Sequence, residues 1–421
     1  MSDDRLVRRD PQTTRVVITG AGTINPIGNT VEEYWANLIA GKSGSRLARH
    51  TDLSNYPVKI AAEVDLPDVS AYFPRKAMLR RLDRFIVFSH IAISQVIVNS
   101  GLDPGAAPSR YGVILGTADA GVGVQLANIR NVVERGIDSI SPFYVVGTIP
   151  NTAAGYSAKE FDLRGPNFTV NSACASGNHA IGVAAMTIKT GMADAVLTGG
   201  SEAVVNVMGF GGFGTIHALS ERNDSPETAS RPFDRDRDGF VLGEGAAVVC
   251  LEELEHAKRR GAHILCELTG WGFSCDAHDL VAPHPEGRGA LAAMQMALDS
   301  AGLNPEDIDL INAHGTSTRL GDLSEARAIR RMFDPAVAVH STKSLIGHLI
   351  GAAGGAEAIA AAFAIDQGVI HPTINQFERD PDIDLNIVSN EARAAEVEHV
   401  LSNSFGFGGQ NATLVFSKFR G

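Results

Sequence analysis

Residues 168–186 read FTVNSACASGNHAIGVAAM, and both the fold and the chemistry of the chain can be approached from this stretch. A short β-type run leads into Cys174, and a run of small and apolar residues follows it as a predicted helix. The cysteine then lies at a strand-to-helix corner, near the positive end of a helix, where the thiolate is favoured. Its serine, alanine and glycine neighbours leave room for a substrate. We therefore predict a nucleophilic Cys174, against the common alternative of a small buried hydrophobe.

Outward from this corner, β-type and helical runs alternate along the chain. The further β-type runs are 15–20, 111–115, 195–197, 246–251, 308–311 and 412–416. Helical runs lie between several of them, for example 31–39 and 288–301. This alternation predicts an α/β fold. Gly20-Ala-Gly22, at the expected glycine turn after the first run, only weakly suggests a dinucleotide loop, because Asn25 replaces its third glycine.

A second copy of the corner occurs later in the chain. The matching residues are Ser172, His179, Ile181, Gly182 and Ala184 with Ser341, His348, Ile350, Gly351 and Ala353. In this register Lys343 lies opposite Cys174. The repeat predicts two similar α/β halves, residues 1–260 and 261–421, each sending a helix N-terminus to a shared centre.

Composition and charge exclude several functions. With 421 residues, 44% of them hydrophobic and 20% charged, the chain can form one or two ordinary domains. No apolar run approaches the roughly 20 residues of a membrane helix, and the polar N-terminus is unlike a secretion signal. The four cysteines lack CxxC spacing, which favours reduced thiols in the cytoplasm.

The net charge of −12 argues against binding to nucleic acid. One segment is basic nevertheless: Arg75, Lys76, Arg80, Arg81 and Arg84. It is either a solvated helix face or a patch for an acidic partner, and the sequence leaves both open.

Two histidines lie in motifs that contain glycine and hydroxyl residues. His314 lies in NAHGTST at the end of a predicted strand, where Thr316 and Thr318 could bind amide groups of a substrate. His348 lies in KSLIGHL. Neither histidine has the spacing of a metal site, so we expect no metal, although each could instead be satisfied by a backbone carbonyl.

Lys343 and the C-terminal loop complete the candidate site. The lysine lies among small and apolar residues and would need a carboxylate partner, for which Glu325 is a candidate. The loop NSFGFGG, residues 403–409, carries Phe405 and Phe407; its N–H groups could line an oxyanion hole, with Phe407 as a gate. Residues 211–245 suggest a charged surface excursion, and residues 351–363 a tightly packed buried helix.

At these motifs the chain resembles the elongating β-ketoacyl-acyl-carrier-protein synthases of the type II bacterial kind, in the thiolase superfamily. The resemblance spans residues 15–416. It implies a duplicated α-β-α-β-α fold of five layers, a homodimer and substrates carried on the phosphopantetheine of an acyl carrier protein. It also implies a decarboxylative Claisen condensation with a malonyl thioester, without a metal or organic cofactor.

The resemblance also implies roles for individual residues. Cys174 would accept the acyl group, His314 and His348 would be the paired histidines, and Lys343 the site lysine. The N–H of the gating Phe407 would join that of Cys174 in the oxyanion hole. The carrier protein would contact the basic patch formed by Lys76, Arg80 and Arg81.

Two departures concern the substrate. Asp119 aligns with an apolar position of the acyl pocket, so it either points elsewhere or faces a shorter or more polar chain. Arg319 stands where relatives usually carry proline. A polyketide, aryl-polyene or other specialised pathway is therefore an alternative to fatty acid synthesis.

Two other functions remain open from the sequence. A Cys-His thioester hydrolase would release free acid without consuming malonyl groups. A non-catalytic partner subunit of a ketosynthase would shape a pocket, although it would not need Cys174, His314 and His348.

Overall fold

The structure is a computed structural model and describes residues 7–73, 76–79 and 81–421. Its strands are β1 (Val16–Ile24), β2 (Arg46–Leu47), β3 (Ile60–Ala61), β4 (Tyr111–Gly116), β5 (Asn167–Val170), β6 (Ala195–Glu202), β7 (Gly245–Glu253), β8 (Cys266–Cys275), β9 (Leu310–Asn312), β10 (Ala338–His340), β11 (Val369–Ile370), β12 (Asn386–Ile387), β13 (Arg393–Ala394), β14 (His399–Gly406) and β15 (Gln410–Ser417).

Helices alternate with these strands. They are α1 (Val31–Ile39), α2 (Lys76–Leu79), α3 (Arg84–Ser100), α4 (Val122–Arg135), α5 (Tyr144–Thr148), α6 (Thr152–Phe161), α7 (Ser176–Lys189), α8 (Val207–Thr215), α9 (Leu254–Arg259), α10 (Arg288–Ala301), α11 (Arg319–Met332), α12 (Lys343–Ile346) and α13 (Ala353–Gln367). Short 3₁₀ turns occur at Pro108–Arg110, Ile137–Ser139, Pro226–Thr228, Pro305–Asp307 and Ile350–Ala352. The predicted helices 31–39 and 288–301 have the predicted bounds, and every predicted β-type run overlaps a strand.

The main sheet contains the same arrangement twice. Its strand order is β12-β10-β9-β14-β15-β8-β1-β7-β6-β4-β5. In the first half β1, β7 and β6 pair antiparallel, and β6, β4 and β5 pair parallel. In the second half β8, β15 and β14 pair antiparallel, and β14, β9 and β10 pair parallel. The antiparallel pair β1–β8 joins the halves, so the predicted duplication is confirmed.

The two halves of the main sheet form two layers of the molecule, and helices form the other three. Helix α3 packs on β1 and β7, helix α10 packs on β8 and β15, and α7 and α13 pack together between the two halves of the sheet. The strands β5 and β10 hold equivalent places, so Cys174 and Lys343 follow equivalent strands, as the repeat predicted. The bounds of the two predicted domains remain a prediction.

Small residues allow the two central helices to approach each other. A Cβ on Gly177 of α7 would lie 3.1 Å from the carbonyl oxygen of Gly351 and 3.1 Å from the nitrogen of Gly355. A Cβ on Gly355 would lie 2.2 Å from the carbonyl oxygen of Ala247 in β7. The buried helix predicted from the small residues 351–363 is thus confirmed as α13.

The predicted glycine turn after the first strand is wrong, and so is the weak suggestion of a dinucleotide loop there. Strand β1 continues through Gly20 and Gly22 to Ile24. A Cβ on Gly20 would lie 2.6 Å from Ser100, and one on Gly22 would lie 2.1 Å from the carbonyl oxygen of Ala92. These glycines therefore let α3 pack closely on the strand. No helix of the described ranges is long and apolar enough to cross a membrane.

Candidate active site

A strained corner positions Cys174 between β5 and α7. Ala173 has a φ of 50°, in the left-handed region, which turns the chain sharply before the helix. The N–H of Ser172 donates to Oγ of Ser176 at 2.9 Å, and that hydroxyl donates to the carbonyl of Ala173 at 2.7 Å. A Cβ on Gly406 would lie 2.5 Å from the carbonyl oxygen of Ser172. The C-terminal loop therefore packs directly on the corner.

The Cys174 thiol is buried, with 5% of the residue exposed. Burial raises its pKa to about 12, and Glu202 acts in the same direction. The charge of Lys343 and the N–H groups of Phe407 and Cys174 lower this pKa, but less than burial raises it. The predicted preference for the thiolate is therefore wrong for the free protein, because desolvation of the anion outweighs the helix terminus. The same two N–H groups are those predicted for the oxyanion hole.

The two histidines face each other near the thiol. The ring centroids of His314 and His348 are 5.4 Å apart, and the rings are nearly perpendicular at 85°. The N–H of Ile350 donates to Nδ1 of His348 at 3.2 Å. Since Nδ1 accepts this bond, the ring proton of neutral His348 is on Nε2. Burial, followed by the charge of Lys343, holds the pKa of both histidines well below the ordinary value, so both are neutral.

A carboxylate anchors the His314 loop. Glu325 accepts the N–H groups of His314 and Gly315, each at 2.8 Å, and the side-chain amide of Asn403 at 3.1 Å. Burial raises the pKa of Glu325 to about 7. Glu325 thus holds the backbone of the histidine motif and is not the partner of Lys343.

The partner of Lys343 is Glu357 on α13. The ammonium group of Lys343, with 1% of the side chain exposed, forms an ion pair with the fully buried Glu357. Oγ of Ser404 also donates to Glu357, at 3.3 Å. The prediction of a carboxylate partner was correct, but the choice of Glu325 was wrong. A single acid within the small and apolar helix 351–363 was the available signal, because a buried carboxylate needs such a partner.

These groups meet at one cavity of about 330 Å³, which we name the Cys174 cavity. The predicted residues that line it are Cys174, His314, Thr316, Thr318, His348, Phe405 and Phe407. The hydroxyls of Thr316 and Thr318 lie 2.9 Å apart. Phe213, Ile216 and Phe240 add apolar surface. The cavity thus offers a thiol, two imidazoles and hydroxyl groups to one bound molecule.

Asp119 lies outside the Cys174 cavity and is exposed. The N–H groups of Ala118 and Asp119 donate to the buried carboxylate of Glu202, at 2.8 and 3.2 Å. These bonds fix the backbone of the turn, while Asp119 itself is exposed on the surface of the chain. Asp119 therefore does not line the Cys174 cavity, and its contact with a substrate stays a prediction. Glu202, which the sequence reasoning missed, is an acid at the end of the buried strand β6.

The charged stretch 211–245 is partly the predicted surface excursion, with the exposed local ion pair Arg235–Asp236 at 3.3 Å, and partly a buried support. Arg237 is 3% exposed and is paired with Asp322 at 3.5 Å and with Asp380 at 2.6 Å. Its guanidinium also donates to the carbonyls of Thr318 and Arg319, at 3.2 and 3.0 Å. The arginine thereby connects the histidine motif to distant parts of the chain. Alternating charges in the sequence do not distinguish long-range ion pairs from local ones.

The predicted basic patch is only partly described. Arg75 and Arg80 lie outside the described residues, and of Lys76 the structure gives the backbone, in α2. Arg81 is exposed, and its guanidinium lies 4.3 Å from the ring centroid of Phe143. Arg84 forms an ion pair with Glu244 and is therefore not a free surface charge.

Fold and cavity together define an enzyme with a duplicated, thiolase-like fold whose buried cysteine and paired histidines suit acyl-thioester chemistry. Family models agree: "Beta-ketoacyl synthase, N-terminal domain" matches residues 13–257, and "Beta-ketoacyl synthase, C-terminal domain" matches residues 265–377. The chain is 46% identical over 408 residues to the 3-oxoacyl-acyl-carrier-protein synthase 2 of Coxiella burnetii, covering 96% of this chain and 98% of that protein.

Solved structures give the same result. The ishigamide ketosynthase/chain length factor is 35% identical with a TM-score of 0.90, covering 98% of this chain and 100% of that one. A solved chain from a type II PKS acyl-carrier protein in complex with its ketosynthase bound to the hexaketide is 29% identical, with a TM-score of 0.90. The match covers 96% of this chain and 100% of that one. The chain therefore belongs to the β-ketoacyl synthase family, which consists of condensing enzymes of the acyltransferase class.

Proposed function

We propose that this protein condenses an acyl thioester with a malonyl thioester, both carried by an acyl carrier protein, to form a β-ketoacyl thioester. One observation carries the proposal: Cys174 shares its cavity with two neutral histidines, and the N–H groups of Cys174 and Phe407 act on its sulfur. This arrangement provides a nucleophile, an oxyanion hole and two hydrogen-bond donors.

In the first half-reaction the acyl group moves to Cys174. The sulfur attacks the thioester carbonyl, and the N–H groups of Cys174 and Phe407 stabilise the oxyanion. A new carbon–sulfur bond forms at Cys174, the old one breaks, and the thiol proton ends on the departing pantetheine thiol. Exchange of one thioester for another needs little driving force, so the high pKa of Cys174 mainly affects the rate.

In the second half-reaction the malonyl thioester loses carbon dioxide. The Nε2–H of His348 and the ring N–H of His314 donate to the thioester carbonyl oxygen and stabilise the enolate left behind. The enolate carbon attacks the acyl group on Cys174, and the sulfur leaves and takes up a proton. Because both histidines are neutral, they act as hydrogen-bond donors rather than acids.

Lys343 contributes through its charge. Its ammonium group lowers the pKa of Cys174 and of both histidines, which favours the thiolate and keeps the imidazoles neutral. Glu357 keeps this buried charge in place. We propose that the reaction uses no metal or organic cofactor, since the thioester and the leaving carbon dioxide provide the activation.

We propose an acyl carrier protein as the partner. Support comes from the ketosynthase relative that was solved in complex with its acyl-carrier protein. The exposed Arg81 suits an acidic partner, and Lys76 and Arg80 remain predicted members of the same patch. Whether the acyl chain belongs to fatty acid or polyketide synthesis depends on the chains that the Cys174 cavity accepts.

We also propose a homodimer in the cytoplasm. Strand β5 is an edge of the main sheet, and Phe168 on this strand is exposed. Exposed apolar residues continue on α4 and α5, namely Ile129, Val133, Val145 and Val146. A second copy would cover both the open edge and these side chains. The four free cysteines fit a reducing compartment.

The condensing role is tested by separating its two half-reactions. We expect Cys174→Ala to form no acyl-enzyme but still to release carbon dioxide from malonyl-carrier protein, because the histidines are unchanged. Cys275→Ser, which changes an exposed cysteine, is the control and should retain both steps. A hydrolase would instead release free acid without malonyl groups. Unchanged product formation by Cys174→Ala in the reconstituted pathway would indicate a non-catalytic partner subunit.

A further inference from the structure

The mouth of the Cys174 cavity carries a cation that the condensation does not use. Arg319, the first residue of α11, lines the cavity and is exposed, whereas Cys174 is buried. The cavity therefore runs from the sulfur to the surface beside Arg319. Among the described residues that line it, Arg319 is the only arginine or lysine.

The position of Arg319 is fixed by buried structure. Its Nε donates to the carbonyl of Arg237 at 3.3 Å, while the Arg237 guanidinium donates back to the carbonyl of Arg319 at 3.0 Å. Arg237 is itself held by Asp322 and Asp380. This mutual contact uses Nε of Arg319 and leaves its two terminal nitrogens without a protein acceptor among the described residues.

Neither of the two described acids that line the cavity is paired with Arg319. Asp238 also lines the cavity, but it accepts from Oγ of Ser220 at 2.8 Å and is paired with Arg222 at 3.4 Å. Asp276 accepts from the side-chain amide of Asn411 and from the N–H of His284, each at 2.9 Å. The positive end of the 14-residue helix α11 adds to the local positive potential.

We infer that Arg319 forms a phosphate subsite at the mouth of the cavity, which binds the phosphate of the pantetheine arm. The inference rests on the proposed function, which places a thioester at Cys174 and the rest of the arm along the cavity. A phosphate terminates that arm at the surface, and two guanidinium nitrogens can bind two phosphate oxygens. Thr316 and Thr318 also line the cavity and can bind the amides of the arm.

The direct test measures how well free arms protect Cys174. S-methyl phosphopantetheine and S-methyl pantetheine differ by the phosphate and carry no free thiol that would consume the reagent, and each should slow alkylation of Cys174 by iodoacetamide when it occupies the cavity. We expect phosphopantetheine to protect the wild type at a lower concentration than pantetheine. Arg319→Gln should raise the half-protecting concentration of phosphopantetheine about tenfold and leave that of pantetheine unchanged. This readout requires no turnover.

Arg331→Gln, at the other end of the same helix, is the matched control and should change neither value. Equal weakening of both arms by Arg319→Gln would overturn the inference, because it would indicate a general structural role. An unchanged value for phosphopantetheine would also overturn it. An effect confined to carrier-bound substrates would place Arg319 in contact with the carrier protein instead.

Turnover distinguishes the subsite from the proposed function. With acyl-phosphopantetheine as substrate, we expect Arg319→Gln to raise KM and keep kcat, with no change for acyl-pantetheine. A wild-type protein that makes no β-ketoacyl product from any carrier contradicts the proposed function, whatever the protection assay shows. A working wild type with an unaffected Arg319→Gln variant contradicts the subsite alone.

Discussion

At the scale of single residues, the environment of Cys174 combines opposing effects. Burial raises the pKa of the thiol to about 12, whereas Lys343 and two N–H groups lower it. Cys174 is thus a neutral thiol at neutral pH. Below its pKa, the fraction present as thiolate rises about tenfold per pH unit. A bound thioester places its carbonyl oxygen at the N–H groups, which stabilise the oxyanion as it develops during attack by the sulfur.

This balance predicts the pH dependence of alkylation. In Cys275→Ser, which lacks the exposed thiol, the rate of reaction of Cys174 with iodoacetamide should rise about tenfold per pH unit, without a plateau up to about pH 10. Intact mass against time at each pH gives the rate. Cys174→Ala in the same background identifies the labelled residue. A plateau below about pH 9 would show that the helix terminus and Lys343 outweigh burial.

The sequence could identify residues of the candidate site where they lie in a recognisable motif. Cys174, His314, His348 and Phe407 each lie in a local pattern of small or glycine residues. For the partner of Lys343 the sequence offered both Glu325 and Glu357, and the signal of a lone acid in the apolar run 351–363 did not by itself place that run beside the lysine. Only the fold shows that α13 carries Glu357 to the lysine, whereas Glu325 binds backbone N–H groups.

At the scale of elements, the contact between α7 and α13 determines how the two halves meet at the site. Cys174 precedes α7, and the turn after His348 leads into α13. Glycines at the crossing allow these helices to approach, so their close contact positions both catalytic motifs. Any residue that separates the helices should therefore affect stability and the site together.

The packing of α13 against β7 gives a prediction about stability. Alanine normally stabilises a helix interior by about 0.5–1 kcal/mol relative to glycine. Gly355→Ala should instead lower the free energy of unfolding by about 1–3 kcal/mol, because its Cβ would lie 2.2 Å from the carbonyl oxygen of Ala247.

Gly211→Ala on α8 is the control for this prediction. A Cβ on Gly211 would have open space around it, so this substitution should leave the thermal midpoint unchanged or raise it. Thermal unfolding of both variants measures the difference. Equal or higher stability of Gly355→Ala would show that α13 has more room against β7 than the structure gives it.

The positions of helices and strands could be predicted well because the pattern of apolar residues is visible within a short stretch of sequence. The helices α1 and α10 have their predicted bounds. By contrast, Gly20 and Gly22 suggested a turn but lie within β1. Glycine is needed at both positions because helix α3, which is distant in the sequence, packs directly on the strand there. The role of Arg237 could not be predicted for the same reason, because its partners Asp322 and Asp380 lie far along the chain.

At the scale of the whole molecule, the duplicated sheet leaves one edge open at β5. Exposed Phe168 lies on β5, and exposed Ile129 and Val133 lie on α4. Light scattering during size exclusion should give a mass about twice the 44.4 kDa of the chain. Phe168→Lys together with Val133→Lys should shift the protein toward the monomer, while Val98→Lys, at an exposed position on α3, should not. A wild-type mass of one chain would contradict the dimer.

The most direct measurement is the intact mass of the wild-type protein after exposure to acyl-carrier thioesters and then to malonyl-carrier protein. We predict a mass increase of one acyl group, mapped to Cys174, that persists in buffer and disappears when malonyl-carrier protein is added and β-ketoacyl product forms. The lengths of the accepted chains then give the substrate class. An acyl group that decays in buffer alone, or no acylation with any chain, would contradict the condensing role.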